Sequence, residues 1–346
     1  MTTGIIGYLS ARGLGTMTHD IRQQLGIKHQ IVPVDAGWPY MDKWATGGEF
    51  YLEQWAVQKE DLELWAQHFG IDTVVSIETP YGDQTFKWAK ELGLKTTLLV
   101  MWEAFNPNMP AYRNVDLYIC PSYRAYQEVP FDNKIFLPYP VDTNAFAYRQ
   151  RRGPAKTFIH NAGSWGMNGR KGTIETIKAF ALAARAVPGI ELIVRSQTDN
   201  FELDSESPPP DCVTFEVGSK ETREELYVEG DVLIYPSLYD GHALVTLEGM
   251  AAGMPVITTD ATPMNEYWRP NSYPLLVKVA EERKPDGLVN PHCFSQIVSI
   301  EDLARKIVWC AQNDMEDISK RNREIAETEH SWNALRERWK KALGCL

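Results

Sequence analysis

The stretch DVLIYPSLYDGHALVTLEGMAAGMPVITTD, residues 231–260, carries the clearest structural signal in the chain. Residues 232–235 are apolar and run into a proline, as a buried strand often does, and a helical pattern begins near Ala243 after a short loop. A second apolar run at 256–258 follows that helix. Strand, helix and strand in this order predict a parallel sheet with crossover helices.

The same alternation extends outward from this stretch in two series. The first predicts strands at residues 4–9, 30–34, 73–77, 96–101, 117–120 and 134–137, and helices at 18–25, 49–69 and 83–92. The second predicts strands at 157–161, 191–195, 213–215, 232–235 and 256–258. The polar stretch RQRRGPA, 149–155, separates the two series and reads as a linker. The sequence therefore predicts an α/β protein with two Rossmann-like domains, residues 1–148 and 149–329.

Composition limits the classes of function that fit the chain. The 346 residues carry 46 acidic and 35 basic side chains, a net charge of −11. This acidity argues against extended contact with nucleic-acid phosphates, although a local basic pocket stays open. No apolar run reaches the ~20 residues of a membrane span, and the start MTTGIIGYLSARG lacks a secretory-signal pattern. Five scattered cysteines without CxxC spacing indicate reduced thiols and a cytoplasmic location.

Two acids flank the helix that starts near Ala243. Asp240 and Glu248 are separated by seven residues, so both can reach one ligand over the helix N-terminus. Backbone N–H groups at that end favour a phosphate, and a carboxylate such as Glu248 can accept both hydrogens of a ribose diol. The alternative from the same pattern is that Asp240 caps the helix and Glu248 is solvated.

The segment DGHALVTLEGMAAGMPVI, 240–257, resembles the E-x7-E signature of retaining GT-B glycosyltransferases of group 1 (family 4), which runs roughly EGFGLVLLEAMACGKPVI. The resemblance implies two Rossmann-like domains facing a central cleft and a nucleotide-diphosphate sugar as donor substrate. By position, it makes Asp240 the acid on the donor sugar and Glu248 the acid on the ribose. It also implies that sugar and phosphates contact Gly241, His242, Ala243, Leu244 and Val245. Asp240 replaces the usual Glu, which leaves the identity of the sugar open.

A second segment, TFIHNAGSWGMNGRKGTIETIKAFALAA at 157–184, runs from a strand through a glycine-rich loop into a helix. A lysine at the start of a helix can neutralise a diphosphate without a metal ion, and a solvated basic cluster is the alternative. The loop is similar to the family's GR…RKG element, whose Arg and Lys clamp the two phosphates. Lys171 matches that Lys. Ser164 stands where the Arg usually is, so the resemblance implies that Arg170 replaces it or that part of the clamp is missing.

Weaker matches extend the resemblance over nearly the whole chain. KIFLPYPVDTNAF, 134–146, is similar to the family's strand and turn before the interdomain linker. In VTFEVGSKETREELYVEGDVLIYPS, 213–237, the resemblance places Val217 and Gly218 against the nucleobase, and in TPMNEYW it makes Glu266 close the nucleotide pocket. HSWN at 330–333 resembles a motif that opens the last helix. The resemblance implies that this helix, residues 330–346, packs back on the N-terminal domain.

The N-terminal series offers fewer chemical signals. Gly15, in the glycine-containing turn at 11–21, lies where GT-B enzymes bring backbone close to the donor. The third glycine of a dinucleotide fingerprint is missing, which argues against a nicotinamide cofactor. Glu103 follows the strand at 96–101, where many relatives carry a histidine at the reaction centre. Glu103 is therefore a candidate catalytic residue, with an ordinary loop acid as the alternative.

Tryptophans are concentrated between residues 38 and 102. Trp55 and Trp65 fall inside the predicted helix at 49–69, so both are expected in the core. Trp38, Trp44 and Trp102 fall in loop-like positions and could stack on a sugar ring or a base.

The resemblance implies a retaining glycosyltransferase that moves a sugar from a nucleotide diphosphate to an acceptor hydroxyl of a carbohydrate, lipid or small molecule. Lys171, Asp240 and Glu103 are the catalytic candidates. No cofactor and no metal ion are expected, because the chain has no Asp-x-Asp pair. Two alternatives stay open: a transferase of the phage type that acts on a modified DNA base, and a non-catalytic nucleotide-sugar-binding relative, which the changes at Ser164 and Asp240 motivate.

Overall fold

A computed structural model describes residues 1–35, 37–163, 170–199, 209–285 and 290–345 of the chain. These residues form two compact units. Unit 1 comprises Met1–Tyr139, the described part of Gly287–Pro291, and the described part of Leu335–Leu346. Unit 2 comprises the described residues of Pro140–Asp286 and of His292–Ala334. The predicted linker at 149–155 lies in unit 2, where the buried Arg151 guanidinium donates to the Tyr227 carbonyl at 2.7 Å.

Unit 1 contains a sheet of seven parallel strands in the spatial order β3-β2-β1-β4-β5-β6-β7. The strands are β1 (Thr3–Ile6), β2 (His29–Val32), β3 (Glu49–Tyr51), β4 (Thr73–Ile77), β5 (Lys95–Leu99), β6 (Leu117–Cys120) and β7 (Lys134–Phe136). The helices are α1 (Gly13–Leu25), α2 (Lys59–Phe69), α3 (Thr85–Glu91) and α4 (Tyr123–Glu128). Every residue of β1 and β4 is buried, as in a parallel sheet covered on both faces.

Unit 2 contains a six-stranded parallel sheet in the order β10-β9-β8-β11-β12-β13 and a separate antiparallel pair, β14-β15. The strands are β8 (Thr157–Gly163), β9 (Glu191–Ser196), β10 (Val213–Val217), β11 (Val232–Tyr235), β12 (Val256–Thr259), β13 (Leu276–Val277), β14 (Val279–Arg283) and β15 (Ser295–Val298). The helices are α5 (Thr173–Ala186), α6 (Leu244–Ala251), α7 (Ile300–Gln312) and α8 (Glu316–Glu329), and the last helix, α9 (Trp332–Leu343), has only its first residues in unit 2. The two parallel sheets with their helices confirm the predicted α/β class with two Rossmann-like domains.

Most of helix α9 belongs to unit 1. Its apolar stripe, Leu335, Trp339 and Leu343, is buried. The Trp339 indole N–H donates to the Pro138 carbonyl at 3.0 Å, and its ring lies edge-on to Tyr139 with centroids 6.0 Å apart. The apolar stripe of α9 therefore packs against the segment that follows β7, the last strand of unit 1.

The prediction of one long helix over residues 49–69 is wrong at its start. Residues Glu49–Tyr51 form strand β3, which pairs with β2, and the helix begins only at Lys59. Glu49 forms a buried ion pair with Arg22 of α1 at 2.6 Å, a tertiary contact that no local pattern encodes. Trp55 therefore lies between strand and helix with 47% of its surface exposed, whereas the sequence placed it in the core.

His160 sits in the middle of strand β8 and is fully buried. Its Nδ1 lies 2.8 Å from the Ile234 carbonyl and its Nε2 lies 2.9 Å from the Thr173 hydroxyl, so the neutral ring satisfies both partners. Burial, with the charge of Lys171 as a further contribution, lowers the pKa of His160 to about 4. The folded protein therefore holds this histidine neutral well below the pH at which an unfolded chain protonates it.

This shift predicts an acid-sensitive stability. The unfolded histidine binds a proton near pH 6.5, whereas the folded one does so only near pH 4. The contribution of His160 to the free energy of unfolding is therefore complete above pH 6.5 and declines as the pH falls towards 4. The expected loss is about 3 kcal/mol in the free energy of unfolding, measured by urea denaturation across that range. His160→Asn should flatten the pH dependence, whereas His68→Asn, at an exposed position, should not. Equal slopes for wild type and His160→Asn would contradict the assignment.

Candidate functional site

The turn before α5 is held directly against the turn before α6. Gly172 has φ +70°, and a Cβ at this position would lie 2.2 Å from the Pro236 carbonyl oxygen, so only glycine fits there. The Leu238 amide and the Ser237 hydroxyl both donate to the Arg170 carbonyl, at 2.7 and 2.9 Å. Because β8 and β11 are neighbours in the sheet, these contacts bring the N-termini of α5 and α6 together at the carboxyl ends of the two strands.

Lys171 lies at this junction and forms an ion pair with Asp240. Its Nζ is 2.6 Å from Asp240 Oδ2 and also donates to the Tyr235 hydroxyl. The Tyr235 hydroxyl in turn donates to the same carboxylate oxygen at 2.7 Å. The side chains of Lys171 and Asp240 are only 16% and 11% exposed, so the pair is largely shielded from water. Arg170 adds a second cation, with its guanidinium 5.7 Å from the centre of the Tyr239 ring.

The other oxygen of Asp240 shapes the start of α6. Asp240 Oδ1 accepts from the amide of Ala243 at 3.0 Å and from that of His242 at 3.4 Å. Ala243 adopts a left-handed conformation with φ +55°, which L-residues other than Asn and Asp rarely take. The carboxylate thus binds amides of the turn before α6 and none of the helix itself, so it orders that turn without capping the helix, and it holds Lys171 at the same time.

Charge decides the ionisation of Asp240. Burial alone would raise its pKa, but the charges of Lys171 and Arg170 and the hydrogen bonds from Lys171 and Tyr235 outweigh burial. They hold the pKa of the Asp240 carboxyl well below its usual range, so the ion pair is intact at neutral pH. Burial, and then the charge of Asp240, raise the pKa of Tyr235, which keeps its hydroxyl protonated as a donor.

Glu248 is buried and paired rather than solvated. Its side chain is 6% exposed, and its Oε1 accepts from the Arg223 guanidinium, with Nε at 2.9 Å. Its Oε2 accepts from the Tyr227 hydroxyl at 2.5 Å. The Arg223 guanidinium also lies over the Phe146 ring at 5.5 Å. The loop after β10 and the helix α6 are therefore joined through one carboxylate.

Tyr267 contacts the turn before α6. Its hydroxyl donates to the His242 carbonyl and lies 3.3 Å from His242 Nε2. Burial, and then the negative charges of Asp240, Glu266 and Glu248, raise the pKa of Tyr267 well above its usual value. The Tyr267 hydroxyl therefore stays protonated and serves as a donor to the turn before α6.

Sequence reasoning missed Arg223, Tyr227, Tyr235 and Tyr267 as site residues, although all four lie in segments singled out as similar to the family. A tyrosine that ends a buried strand just before an acidic loop, as Tyr235 does, is a usable signal. Arg223 offers no such signal, because only the fold carries the loop after β10 to α6.

The remaining candidates lie in separate places. Val217 and Gly218 are exposed at the carboxyl end of β10, and the Gly218 amide donates to the Ser196 carbonyl at 2.9 Å. Ser164 lies outside the described residues. Gly15 and Glu103 are in unit 1. A Cβ on Gly15 would lie 2.1 Å from the Ser10 carbonyl oxygen, and Glu103 is buried in a short 3-10 helix after β5. Of the last three candidates, Gly241 lies in the loop before α6, and Leu244 and Val245 are the first two residues of that helix.

The described ranges contain neither a cluster of metal-binding side chains nor a membrane-spanning helix. Within them, no group of three or more His, Cys, Asp or Glu side chains is arranged to hold a metal ion. Nor does that part of the chain contain a helix with the length and apolar character needed to cross a membrane.

Residues 159–290 match a family model described as glycosyl transferases group 1. The chain is similar in structure to Anabaena Alr3699/HepE in complex with UDP and glucose (TM-score 0.70, 12% identity, 100% of each chain covered). It is also similar to a glycosyltransferase from Rickettsia africae ESF-5 (TM-score 0.70, 14% identity, 99% of this chain and 98% of that one). It spans only 60% of a chain of the GtfA/B complex (TM-score 0.57, 16% identity, 83% of this chain). No curated protein matches.

These matches confirm the predicted fold: the chain has the GT-B fold of the glycosyltransferases to which it is similar. The segment that matches the group 1 family model, residues 159–290, contains the stretch in which the sequence resembles that family. The ion pair Lys171–Asp240 and the carboxylate of Glu248 both lie within that matched segment.

The ion pair generates a stability prediction. Asp240→Asn should lower the free energy of unfolding by about 3 kcal/mol, because it leaves the Lys171 ammonium buried without a counter-charge. In a Lys171→Met background the same substitution should cost much less, since that charge is already gone. Urea denaturation of the four proteins in this double-mutant cycle measures the coupling. Equal losses in both backgrounds would show that Asp240 acts only through the α6 turn.

Proposed function

We propose that the chain is a retaining glycosyltransferase that moves a sugar from a nucleotide-diphosphate donor to an acceptor hydroxyl. The observation that carries the proposal is the position of Lys171: its ammonium is fixed by Asp240 and Tyr235 where the N-termini of α5 and α6 meet. Two helix N-termini beside a lysine form an anion site suited to a diphosphate. Retention of anomeric configuration is what the resemblance to group 1 enzymes supports.

The diphosphate is stabilised by charge that is already in place. As the glycosidic C–O bond breaks, negative charge grows on the leaving diphosphate. Lys171, Arg170 and the first amides of α6, at Leu244 and Val245, supply positive charge and hydrogen bonds without reorganisation. Gly241, His242 and Ala243 form the turn against which the sugar and phosphates lie. The positive groups replace a divalent cation in this scheme, so catalysis needs no metal ion.

The nucleoside end of the donor is assigned to Glu248. A carboxylate has about four acceptor positions, and Arg223 and Tyr227 occupy three of them through two guanidinium N–H groups and one hydroxyl. Binding of both ribose hydroxyls therefore requires Arg223 to yield one of its hydrogen bonds, while Tyr227 keeps the carboxylate oriented. Val217 and Gly218 are assigned to the nucleobase, and Glu266 closes this pocket.

Asp240 acts in this proposal mainly as a positioning residue. Its Oδ2 binds Lys171 and Tyr235, and its Oδ1 accepts the amide of Ala243. The contact to the donor sugar that the resemblance implies for Asp240 stays a prediction. The catalytic role of Glu103 and the donor contacts of Gly15 and Ser164 also stay predictions.

Two substitutions test the donor site. Lys171→Ala and Glu248→Ala should each lose most turnover while the fold survives, and removal of one preorganised charged contact is expected to cost about 2.7–4 kcal/mol in the barrier. The donor is first chosen by thermal shift from UDP-, GDP-, ADP- and dTDP-sugars, and turnover is followed as release of free nucleoside diphosphate. Lys178→Ala, an exposed lysine on α5, is the matched control and should keep full activity. Wild-type rates in both site variants would refute the assignment.

A binding protein without activity would release no nucleoside diphosphate from the donor that stabilises it. That outcome separates a non-catalytic relative from a transferase.

Removal of divalent cations gives an independent test. Because Lys171, Arg170 and helix amides neutralise the diphosphate, treatment with a chelator should leave turnover unchanged. The measurement compares initial rates before and after dialysis against EDTA. A loss of activity that added Mg²⁺ restores would contradict metal-independent catalysis.

A further inference from the structure

Protein donors already fill most of the hydrogen-bonding capacity of the Glu248 carboxylate. Its Oε1 accepts two N–H groups of the Arg223 guanidinium, from Nε at 2.9 Å and from one terminal nitrogen. Its Oε2 accepts the Tyr227 hydroxyl at 2.5 Å. A carboxylate oxygen offers two lone-pair positions, so Oε1 is full and Oε2 has one position that no described residue occupies. Glu248 therefore has room for one further donor.

The filled positions decide which pentose the carboxylate can bind without rearrangement. A carboxylate binds a vicinal diol by giving one oxygen to each hydroxyl. The single 3′-hydroxyl of a 2′-deoxyribose needs only the open position on Oε2. The second hydroxyl of a ribose needs Oε1, where it has to displace a guanidinium N–H of Arg223. Glu248 as it stands therefore suits one sugar hydroxyl.

Arg223 is held at this position by more than one contact. Its guanidinium lies over the Phe146 ring at 5.5 Å, and Phe146 is buried. The side chain of Glu248 is only 6% exposed, so its charge is shielded from water. Movement of Arg223 away from Glu248 would leave that buried charge without a counter-charge, which is costly. We therefore expect Arg223 to stay on Glu248 when a nucleotide binds.

The loop that carries Arg223 is anchored independently of this side chain. The buried Arg195 guanidinium donates to the Leu226 carbonyl at 2.8 Å, and the buried Arg151 guanidinium donates to the Tyr227 carbonyl at 2.7 Å. Both carbonyls belong to the same loop as Arg223. Replacement of Arg223 should thus leave the loop backbone and the Tyr227 hydroxyl in place.

We propose that Arg223 is a specificity-determining residue that makes the donor site indifferent to the 2′-hydroxyl of the nucleotide. The site then accepts sugar donors of 2′-deoxyribonucleoside diphosphates as readily as those of ribonucleoside diphosphates. The inference rests on the proposed function, in which Glu248 binds the pentose of the donor.

The physical reason is the absence of an unpaired group. A protein selects ribose when the deoxy analogue would leave buried polar atoms of the site without partners. At Glu248 that penalty is missing, because Arg223 pairs with Oε1 whichever pentose is bound. A ribose that does take Oε1 only exchanges one hydrogen bond to the carboxylate for another, so its net gain is small. Both modes of ribose binding give the same weak discrimination.

Isothermal titration calorimetry on the full chain measures this discrimination without turnover. The probes are three pairs of nucleoside diphosphates, UDP with dUDP, GDP with dGDP and ADP with dADP, and the pair that binds most tightly decides. We expect its two dissociation constants to differ by less than about threefold. A larger difference in favour of the ribonucleotide would overturn the proposal.

Substitution of Arg223 should create the discrimination that the wild type lacks. Arg223→Met opens both positions on Oε1, so the ribonucleotide should bind at least about tenfold more tightly than its deoxy partner, the value of one hydrogen bond to a charged group. Arg223→Lys keeps the charge but not the planar set of donors, and its ratio should lie between those of wild type and Arg223→Met. Arg185→Met, at an exposed arginine of α5, is the matched control and should keep the wild-type ratio.

Circular dichroism checks that each variant is folded. A ratio in folded Arg223→Met that is no higher than in wild type would refute the role of Arg223. If Arg223→Met does not fold, Arg223→Lys decides by the same criterion.

Failure of this inference and failure of the proposed function give different results. Equal ratios in wild type and variants, together with release of nucleoside diphosphate from a sugar donor, would remove the role of Arg223 and leave the transferase standing. The expected ratios without any release from a sugar donor would remove the transferase and leave the nucleotide site. Binding of no nucleotide to any of these proteins would overturn both.

Discussion

The ion pair between Lys171 and Asp240 is the interaction on which the candidate site in unit 2 depends. Taking two charges out of water costs several kcal/mol each, so such a pair persists only if other hydrogen bonds complete it. Here Tyr235 binds both partners, and the amide of Ala243 occupies the second carboxylate oxygen. A single carboxylate thereby fixes the orientation of a cation and the start of helix α6. A movement of either the Lys171 ammonium or the start of α6 would break a hydrogen bond to this carboxylate.

This arrangement explains why the surrounding backbone is specialised. Gly172 must be glycine because the Pro236 carbonyl occupies the space of a side chain, and Ala243 is held in a left-handed conformation by its contact with Asp240. The same helix carries Glu248, whose bonds to Arg223 and Tyr227 join it to the loop after β10. Strain and buried charge are thus concentrated where parallel strands end, the position at which α/β proteins bind ligands.

The sequence correctly predicted the α/β class and the positions of several strands. Strands at residues 73–77, 117–120 and 232–235 were predicted to the residue, because a strand buried on both faces is a short apolar run with polar or turn residues at its ends. Strand β3 was missed because Glu49 is fixed by Arg22, far away in sequence. The same error affected Trp55: a helical period over residues 49–69 predicted that its side chain is buried, whereas nearly half of its surface is exposed.

Local sequence determined the order of strands and helices, the glycine at the α5 turn and the segment that carries the acids, because these follow from periodicity, turn chemistry and a recognisable motif. It also pointed to Lys171, Asp240 and Glu248 in the candidate donor site, but not to their partners Arg223, Tyr227 and Tyr235. Only the tertiary structure decided which of them meet: Asp240 with Lys171, sixty-nine residues apart, and Glu248 with Arg223, twenty-five apart. Partners so distant are set by the register of neighbouring strands and by helix packing, which a one-dimensional pattern does not contain.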